Sequence, residues 1–329
     1  MLGRLFQCDP DIRLAASEVY LDPGEPRKVG IISHGHADHI GRHERFIATP
    51  PTAAFLRLRS GSDLRGDELP YRTKLAVGGW EVELFPAGHI LGSAMIRVSC
   101  DAGSLLYTGD FKLAPSFTAE AAEVPEADAV IMESTFGGGP EWVFPSRDEL
   151  RERLVALVRD VVRRGKTPVL LAYSLGKSQE VAAMLRGSGV PLVKHAIVSR
   201  LSDVYLRNGI DLGPYEVWGR QESLFGARTT TDLRGKAILI PPHLTRDVRR
   251  VPRRETIALT GWALKSHFGS DHGLPLSDHA DFNELIAFAE RSSAKVIYVT
   301  HGAKRFAEEL RRRGIRSEFL RGKPQMRMF

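Results

Sequence analysis

The stretch His34-Gly35-His36-Ala37-Asp38-His39 places three imidazoles and a carboxylate within six residues. It follows an apolar run at 29–32 that reads as a buried strand. In an extended chain, residues two apart point the same way. His34 and His36 therefore converge on one metal ion, and Asp38 and His39, further into a loop, reach a second. Carboxylate mixed with imidazole suits zinc or manganese. The bland alternative, a histidine-rich surface loop, loses ground because further candidate ligands recur downstream in matching contexts.

Those contexts are strand ends. Residues 78–85 alternate polar and apolar like a strand and lead into Ala87-Gly88-His89, a glycine-flanked histidine suited to be a third ligand. Residues 104–110 form an apolar strand ending in Gly109-Asp110, whose carboxylate has two oxygens with which to bridge two metals. Residues 129–133 end in Glu133, and 294–300 form a buried strand that delivers His301-Gly302. Asp22 ends a short strand before Pro23-Gly24, where it would ordinarily start a turn. His279 stands in Ser277-Asp278-His279-Ala280-Asp281, just before a helix.

The elements that must position these residues alternate between strand and helix, an α/β pattern. Residues 51–58 read as helical. Ser146 opens an amphipathic helix in capping-box relation with Glu149, its apolar stripe being Leu150, Leu154, Leu157, Val158, Val161 and Val162. Asp281 and Glu284 repeat that relation. A strand at 167–172 precedes Tyr173-Ser174-Leu175-Gly176-Lys177, which opens a helix running to Leu185. Small residues and a lysine at a helix N-terminus suit an anion, so Ser174 and Lys177 are candidates for holding a substrate phosphate. The glycine spacing is not that of a Walker loop. Further on come a strand at 255–262 and a helix at 303–313. The segment 246–254 holds five arginines, enough to follow a phosphate backbone or simply to be solvated. No repeat or low-complexity tract interrupts the chain.

A length of 329 residues allows two domains, and 43 % hydrophobic and 26 % charged residues are ordinary for a globular protein. Apolar runs fall short of a membrane span, and the opening residues lack the apolar core of a secretory signal. Cys8 and Cys100 are the only cysteines, which leaves no disulfide framework and no cysteine zinc cluster. A cytoplasmic location is expected. A net charge of +6 favours polyanions such as nucleic acid.

The HxHxDH pattern at 34–39 resembles the signature of the metallo-β-lactamase superfamily. Glu133-Ser-Thr-Phe-Gly, Tyr173-Ser-Leu-Gly-Lys-Ser-Gln, Ser277-Asp-His-Ala-Asp and Thr300-His-Gly, in this order, look like its β-CASP branch of DNA and RNA nucleases. The short insert, the Asp22-Pro start and the Ser-Asp-His-Ala-Asp wording most resemble the bacterial DNA-ligase-associated exonucleases. The resemblance implies an αββα sandwich from residues 1–140 and 273–329, with an α/β β-CASP cap inserted at 141–272. It implies that His34, His36 and His89 hold one divalent ion, that Asp38, His39 and His301 hold another, and that Asp110 bridges them. It gives Asp22 the task of orienting the histidine loop by hydrogen bonds. It makes His279 the general acid for the leaving oxygen, oriented and kept protonated by Glu133. His195 and His243 are lesser cap-side candidates, better read as ordinary histidines, as are His43, His267 and His272.

The function this implies is a metal-dependent exonuclease that cleaves DNA ends with a metal-activated water, Zn or Mn being the ions. It would act in DNA repair, in association with a DNA ligase or helicase, and away from membranes. An RNA-processing nuclease is the second reading. Histidine at the last motif, here His301, is usual among the RNA enzymes, but the ligase-associated DNA enzymes share it. A hydrolase of small esters or lactams and a non-catalytic nucleic-acid-binding protein are the remaining classes; the insert and basic charge count against the first, the full ligand set against the second.

Overall fold

The structure, a computed structural model, describes residues 3–218, 229–302 and 304–320, without the side chains of Asp38 and Thr229. Within those residues the chain forms two compact units. One is built from residues 3–115, 119–143 and 279–320, the other from 116–118 and 144–278.

The first unit is a sandwich of two sheets. Six short strands, from Phe6–Cys8 to Gly66–Glu68, pair in chain order to make one. The other runs Ser317–Phe319, Val296–Gly302, Ala129–Ser134, Gly103–Tyr107, Ala94–Cys100, Trp80–Pro86 and Lys74–Val77. Strict alternation in Trp80–Pro86 turns Trp80, Val82 and Leu84 inward. They meet Leu14, Val19, Leu21 and Ile31 of the first sheet in one core. Burial of such aliphatic faces supplies about 25 cal/mol per Å² of apolar surface and holds the sheets together.

Helices cover the outer faces. Pro50–Ser60 starts at Thr49, whose Oγ1 accepts the Thr52 N–H at 3.4 Å, and packs Ala53 and Leu56 on Ile32, Phe46 and Ala48. Phe282–Arg291 has both halves of the expected capping box. Asp281 Oδ1 accepts the Glu284 N–H, and Glu284 Oε2 accepts the Asp281 N–H, each at 2.9 Å. Phe288 of that helix packs on Phe111, ring centroids 4.6 Å apart. Helix Lys304–Arg312 lies on the Val296–Gly302 and Ser317–Phe319 strands; Ala303, expected to begin it, falls outside the described residues.

The second unit is a seven-stranded, all-parallel sheet in the order Thr229–Thr230, Tyr215–Trp218, Leu192–His195, Ala237–Ile240, Thr167–Leu171, Arg254–Leu259 and His272–Leu274. Its central strand Ala237–Ile240 is buried throughout, as strands covered on both faces are. Ser146 caps helix Arg147–Arg163 as expected, by accepting the Glu149 N–H at 3.2 Å, but the Glu149 carboxylate turns to Arg153 instead of closing the box. Its buried stripe is Leu150, Leu154, Val158 and Val161, while Leu157 and Val162 are half-buried. The strand expected at 255–262 stops at Leu259, because Thr260 Oγ1 accepts the Trp262 N–H and turns residues Gly261–Leu264 into a single 3-10 turn. Residues 273–274, read from sequence as the start of the first unit's return, belong with His272 to the edge strand of this sheet, and the first unit resumes at His279.

Candidate metal centre

His34, His36 and His39 follow the strand Val29–Ile31, and a 3-10 turn, Ala37–His39, curls His39 back toward the other two. All three rings are buried, His34 completely. His34 Nε2 and His89 Nε2 each lie 3.1 Å from His36 Nδ1. Asp110 Oδ2 stands 3.6 Å from His34 Nε2, 3.7 Å from His39 Nε2 and 3.8 Å from His89 Nε2. Four ligand atoms, from His34, His36, His89 and Asp110, thus lie within 4.8 Å of one another.

Glycines let His89 and Asp110 reach this point. Gly109 has φ +54°, and a Cβ there would sit 2.6 Å from Ser33 Oγ. Gly88 has φ +75°, and its Cβ would fall 2.1 Å from the Lys112 carbonyl oxygen. Both positions demand a left-handed backbone and a bare α-carbon at once.

Asp22 organises the loop. At φ +41°, a region that aspartate tolerates better than most residues, its Oδ1 accepts the Ser33 N–H at 2.7 Å and its Oδ2 the Ser33 O–H at 2.5 Å. Oδ2 also lies 2.8 Å from His39 Nδ1, and Ser33 Oγ lies 2.9 Å from His34 Nδ1. With Asp22 ionised, protons sit on Nδ1 of both histidines, leaving each Nε2 bare and facing Asp110. Burial, with the neighbouring imidazoles of His39, His89, His36 and His279, pushes His34 well below the ordinary imidazole range, which keeps it a neutral donor. Ser33 was missed in the sequence; only its place between the strand and the first histidine marked it.

The same anchoring recurs at His279. Its Nδ1 lies 2.9 Å from Glu133 Oε1, and its Nε2 lies 3.9 Å from Asp110 Oδ2. Glu133 is buried at the end of Ala129–Ser134 and also accepts the Phe111 N–H at 3.0 Å, the Thr135 N–H at 3.2 Å and the Thr135 O–H at 2.5 Å. Burial alone would raise this carboxyl, but the charge on His279 and these hydrogen bonds outweigh it and hold Glu133 below the usual carboxylate value.

His301 is the second-last residue of Val296–Gly302, the strand paired with that of Glu133. The register pairs Glu133 with Thr300 and, after an irregularity, Ser134 with Gly302. His301 takes φ +49° in that irregularity, and its ring centroid lies 6.1 Å from that of His39. It is near the cluster without belonging to its tight set of four. Gly302 is the residue that permits this, since a Cβ would fall 2.1 Å from the Ser134 carbonyl oxygen. Asp38 lies in the 3-10 turn, and its side chain is outside the described residues.

In the structure the residues of the expected phosphate cradle, Ser174 and Lys177, are engaged with other groups. Lys177 is buried, with Nζ 3.0 Å from Asp278 Oδ1, so its charge is already balanced. Ser174 is buried too, and the amides around it are engaged: Gln179 Oε1 accepts the Gly176 N–H at 2.8 Å, and the Tyr173 carbonyl accepts the Ser178 N–H at 3.0 Å. The segment anchors its own helix. The lesser histidines are structural as well. His43 accepts the Arg27 N–H at 3.2 Å and fills the space over Gly30 and Gly41; His195 caps a helix by accepting the Ile197 N–H at 3.3 Å; His272 lies 2.6 Å from Glu255. His267 packs against Gly273, and His243 is exposed.

The donor set fits a divalent metal. Zinc at about 2.0–2.1 Å from nitrogen keeps tetrahedral ligands roughly 3.3–3.4 Å apart, close to the 3.1 Å separations here. Three buried imidazole nitrogens within 3.8 Å of one carboxylate oxygen have little purpose without a cation between them.

Comparison with known proteins agrees. Residues 8–163 match the Metallo-beta-lactamase superfamily, and residues 272–319 match the Zn-dependent metallo-hydrolase RNA specificity domain. A probable DNA ligase from Opitutus terrae is 36 % identical over 305 residues, which is 90 % of this chain and 29 % of that protein. RNase aCSPSF2 from Saccharolobus solfataricus is 31 % identical over 192 residues, 49 % of this chain and 38 % of that protein. Transcription termination factor FttA from Thermococcus kodakarensis is 29 % identical over 213 residues, 54 % of this chain and 32 % of that protein. The chain thus spans 29–38 % of the length of these curated relatives. A crystal structure of a protein of unknown function from Enterococcus faecalis has the same fold, with a TM-score of 0.60 at 15 % identity over 84 % of this chain and 76 % of that one. No helix among the described residues is long and apolar enough to cross a membrane. With its paired sheets, its inserted parallel-sheet unit and this histidine–aspartate cluster, the chain belongs to the β-CASP branch of the metallo-β-lactamase superfamily.

Proposed function

We propose that the protein is a metal-dependent nuclease that removes nucleotides from DNA ends, and that it works in DNA repair in the cytoplasm. One observation carries the hydrolytic reading: the buried convergence of His34, His36, His89 and Asp110, with the Glu133–His279 pair beside it. In this reading His34, His36 and His89 would hold one zinc or manganese ion, Asp38, His39 and His301 would hold a second, and Asp110 would serve both. Such a pair, when bound, acidifies a water for attack on phosphorus and steadies the charge of the displacement.

The chain's own residues do the rest. Glu133 fixes the proton of His279 on Nδ1 and favours the imidazolium. His279 Nε2 then faces the cluster with a proton to give to the leaving oxygen, and it is rebuilt as a donor once it recovers one from solvent. Asp22 and Ser33 keep His34 and His39 aimed while the substrate changes charge.

DNA is preferred because the relative that matches 90 % of the chain is a probable DNA ligase, which also supports association with a ligase activity. The RNA reading is second, favoured by RNase aCSPSF2, by the RNA specificity domain match and by His301. The test uses end-labelled DNA and RNA strands of one sequence, incubated in manganese with wild type and Asp110→Ala. Stepwise loss of DNA, absent in the variant, is expected. Preferential loss of RNA would move the protein to RNA processing, and equal cleavage by the variant would defeat the metal mechanism.

A further inference from the structure

The metal centre leaves unused a strongly basic surface in the second unit. Helix Thr245–Arg250 and the residues after it expose Arg246, Arg249, Arg250, Arg253 and Arg254. The first three recur at i, i+3 and i+4, so they share one helical face with neighbouring side chains about 5–6 Å apart. The opposite face carries Leu244, Val248 and Val251 into a core with Val169, Val193 and Ile240. Packing therefore fixes which way the arginines point.

Their charge is not balanced locally. Asp247 serves Arg250 at 3.4 Å and His195 at 3.5 Å. Glu255 is held by Arg164 at 2.6 Å, Lys166 at 2.7 Å and His272 at 2.6 Å. Among the described residues Arg246, Arg249, Arg253 and Arg254 have no acidic partner. Several other arginines do: Arg153 with Glu149, Arg164 with Asp160, Arg313 with Glu309. An unneutralised arginine row on a rigid support is an electrostatic footprint for a polyanion.

We infer that this arginine row is a binding surface for the phosphate backbone of a single nucleic-acid strand, separate from the metal ligands. A membrane surface is the poorer partner, because an interfacial helix turns apolar side chains outward, and here they are spent on the core. The inference rests on the nuclease reading and adds where the strand is gripped. Guanidinium groups suit phosphate through paired N–H donors, and no base-specific contact is required.

The test compares wild type with R246Q/R249Q/R253Q/R254Q, leaving Arg250 with Asp247. Affinity for a labelled 30-mer strand is measured across salt concentrations, alongside turnover of bis-p-nitrophenyl phosphate, which has no flanking phosphates. Four lost contacts, at about 0.7 each, make the log–log salt slope shallower by about 2.8 and weaken binding at low salt by about tenfold or more. Small-diester turnover stays at the wild-type rate. The pair R246Q/R249Q gives about half the change in slope and serves if the fourfold variant folds poorly. Unchanged strand affinity and slope would overturn the surface while leaving the nuclease reading intact. So would loss of small-diester turnover in the variants, which would mean that the arginines act through the fold. If wild type turns over the small diester but binds no strand, or binds phosphatidylserine vesicles instead, the surface and the nuclease reading fall together.

Discussion

Replacing Asp22 with alanine tests whether a side chain that holds no metal in the proposed arrangement decides how well metal is held. Its two oxygens take the Ser33 N–H at 2.7 Å, the Ser33 O–H at 2.5 Å and the His39 Nδ1 proton at 2.8 Å. Alanine strands the buried Ser33 amide and frees His39 to turn or change tautomer. Each stranded buried donor costs about 1–3 kcal/mol. An alanine at φ +41° adds about 1 kcal/mol. The expected loss is about 2–4 kcal/mol in urea unfolding and about 10–100-fold in metal affinity, read by competition with a chromophoric chelator. Asp22→Asn separates the two effects. It keeps one acceptor and tolerates the backbone angle, so stability falls by only about 1–2 kcal/mol while metal affinity still drops. Wild-type metal affinity in Asp22→Ala, at whatever stability, would refute the idea that Asp22 sets the histidine donors.

Three further outcomes are expected. Glu133→Gln removes the charge that favours the His279 imidazolium, so kcat should fall by about 10²–10⁴-fold with metal content unchanged, and the alkaline limb of the pH–rate profile should move to lower pH. Gly109→Ala pushes a methyl into Ser33 2.6 Å away and adds strain at φ +54°; a loss of about 2–4 kcal/mol in urea unfolding and reduced metal uptake would follow. Burial lowers Lys194 from 10.5 to about 7, against the pull of Asp203, so the unfolded chain binds the extra proton between those values. Stability should therefore rise from pH 7 toward pH 10.5, by at most about 5 kcal/mol, and less to the extent that the Tyr215 ring 3.6 Å below the ammonium favours the charge. Urea midpoints across that range should show the rise in wild type and not in Lys194→Met.

The candidate site was readable where chemistry and spacing coincide locally. His34 and His36 share an extended segment, and His89 and Asp110 each end a strand whose alternation is plain, so convergence followed from the pattern. The Glu133–His279 pair was not readable that way. Its members lie on opposite sides of the inserted unit, and only the family resemblance joined them. Ser33 and Thr135 were invisible because a serine or threonine has no spacing rule; their importance lies in two short hydrogen bonds that need the fold. The partner of Lys177 was hidden for a related reason. A helix N-terminus with a lysine looks open in one dimension, but Asp278 returns from far along the chain to neutralise it. Helix ends at Ser146 and Asp281 were set by neighbours three residues away and were read correctly at the backbone.

The strand pairing that sets Glu133 beside Thr300 has a consequence for the order in which the protein is made. The two strands are sheet neighbours, yet the whole inserted unit is synthesised between them. A nascent chain emerging N-terminus first has His34, His36, His89 and Asp110 in hand long before it owns His279 or His301. Closing the parallel pair needs a long-range contact, which is entropically slow compared with local folding. In the proposed mechanism, the acid His279 and the ligand His301 are therefore the last parts of the site to be made.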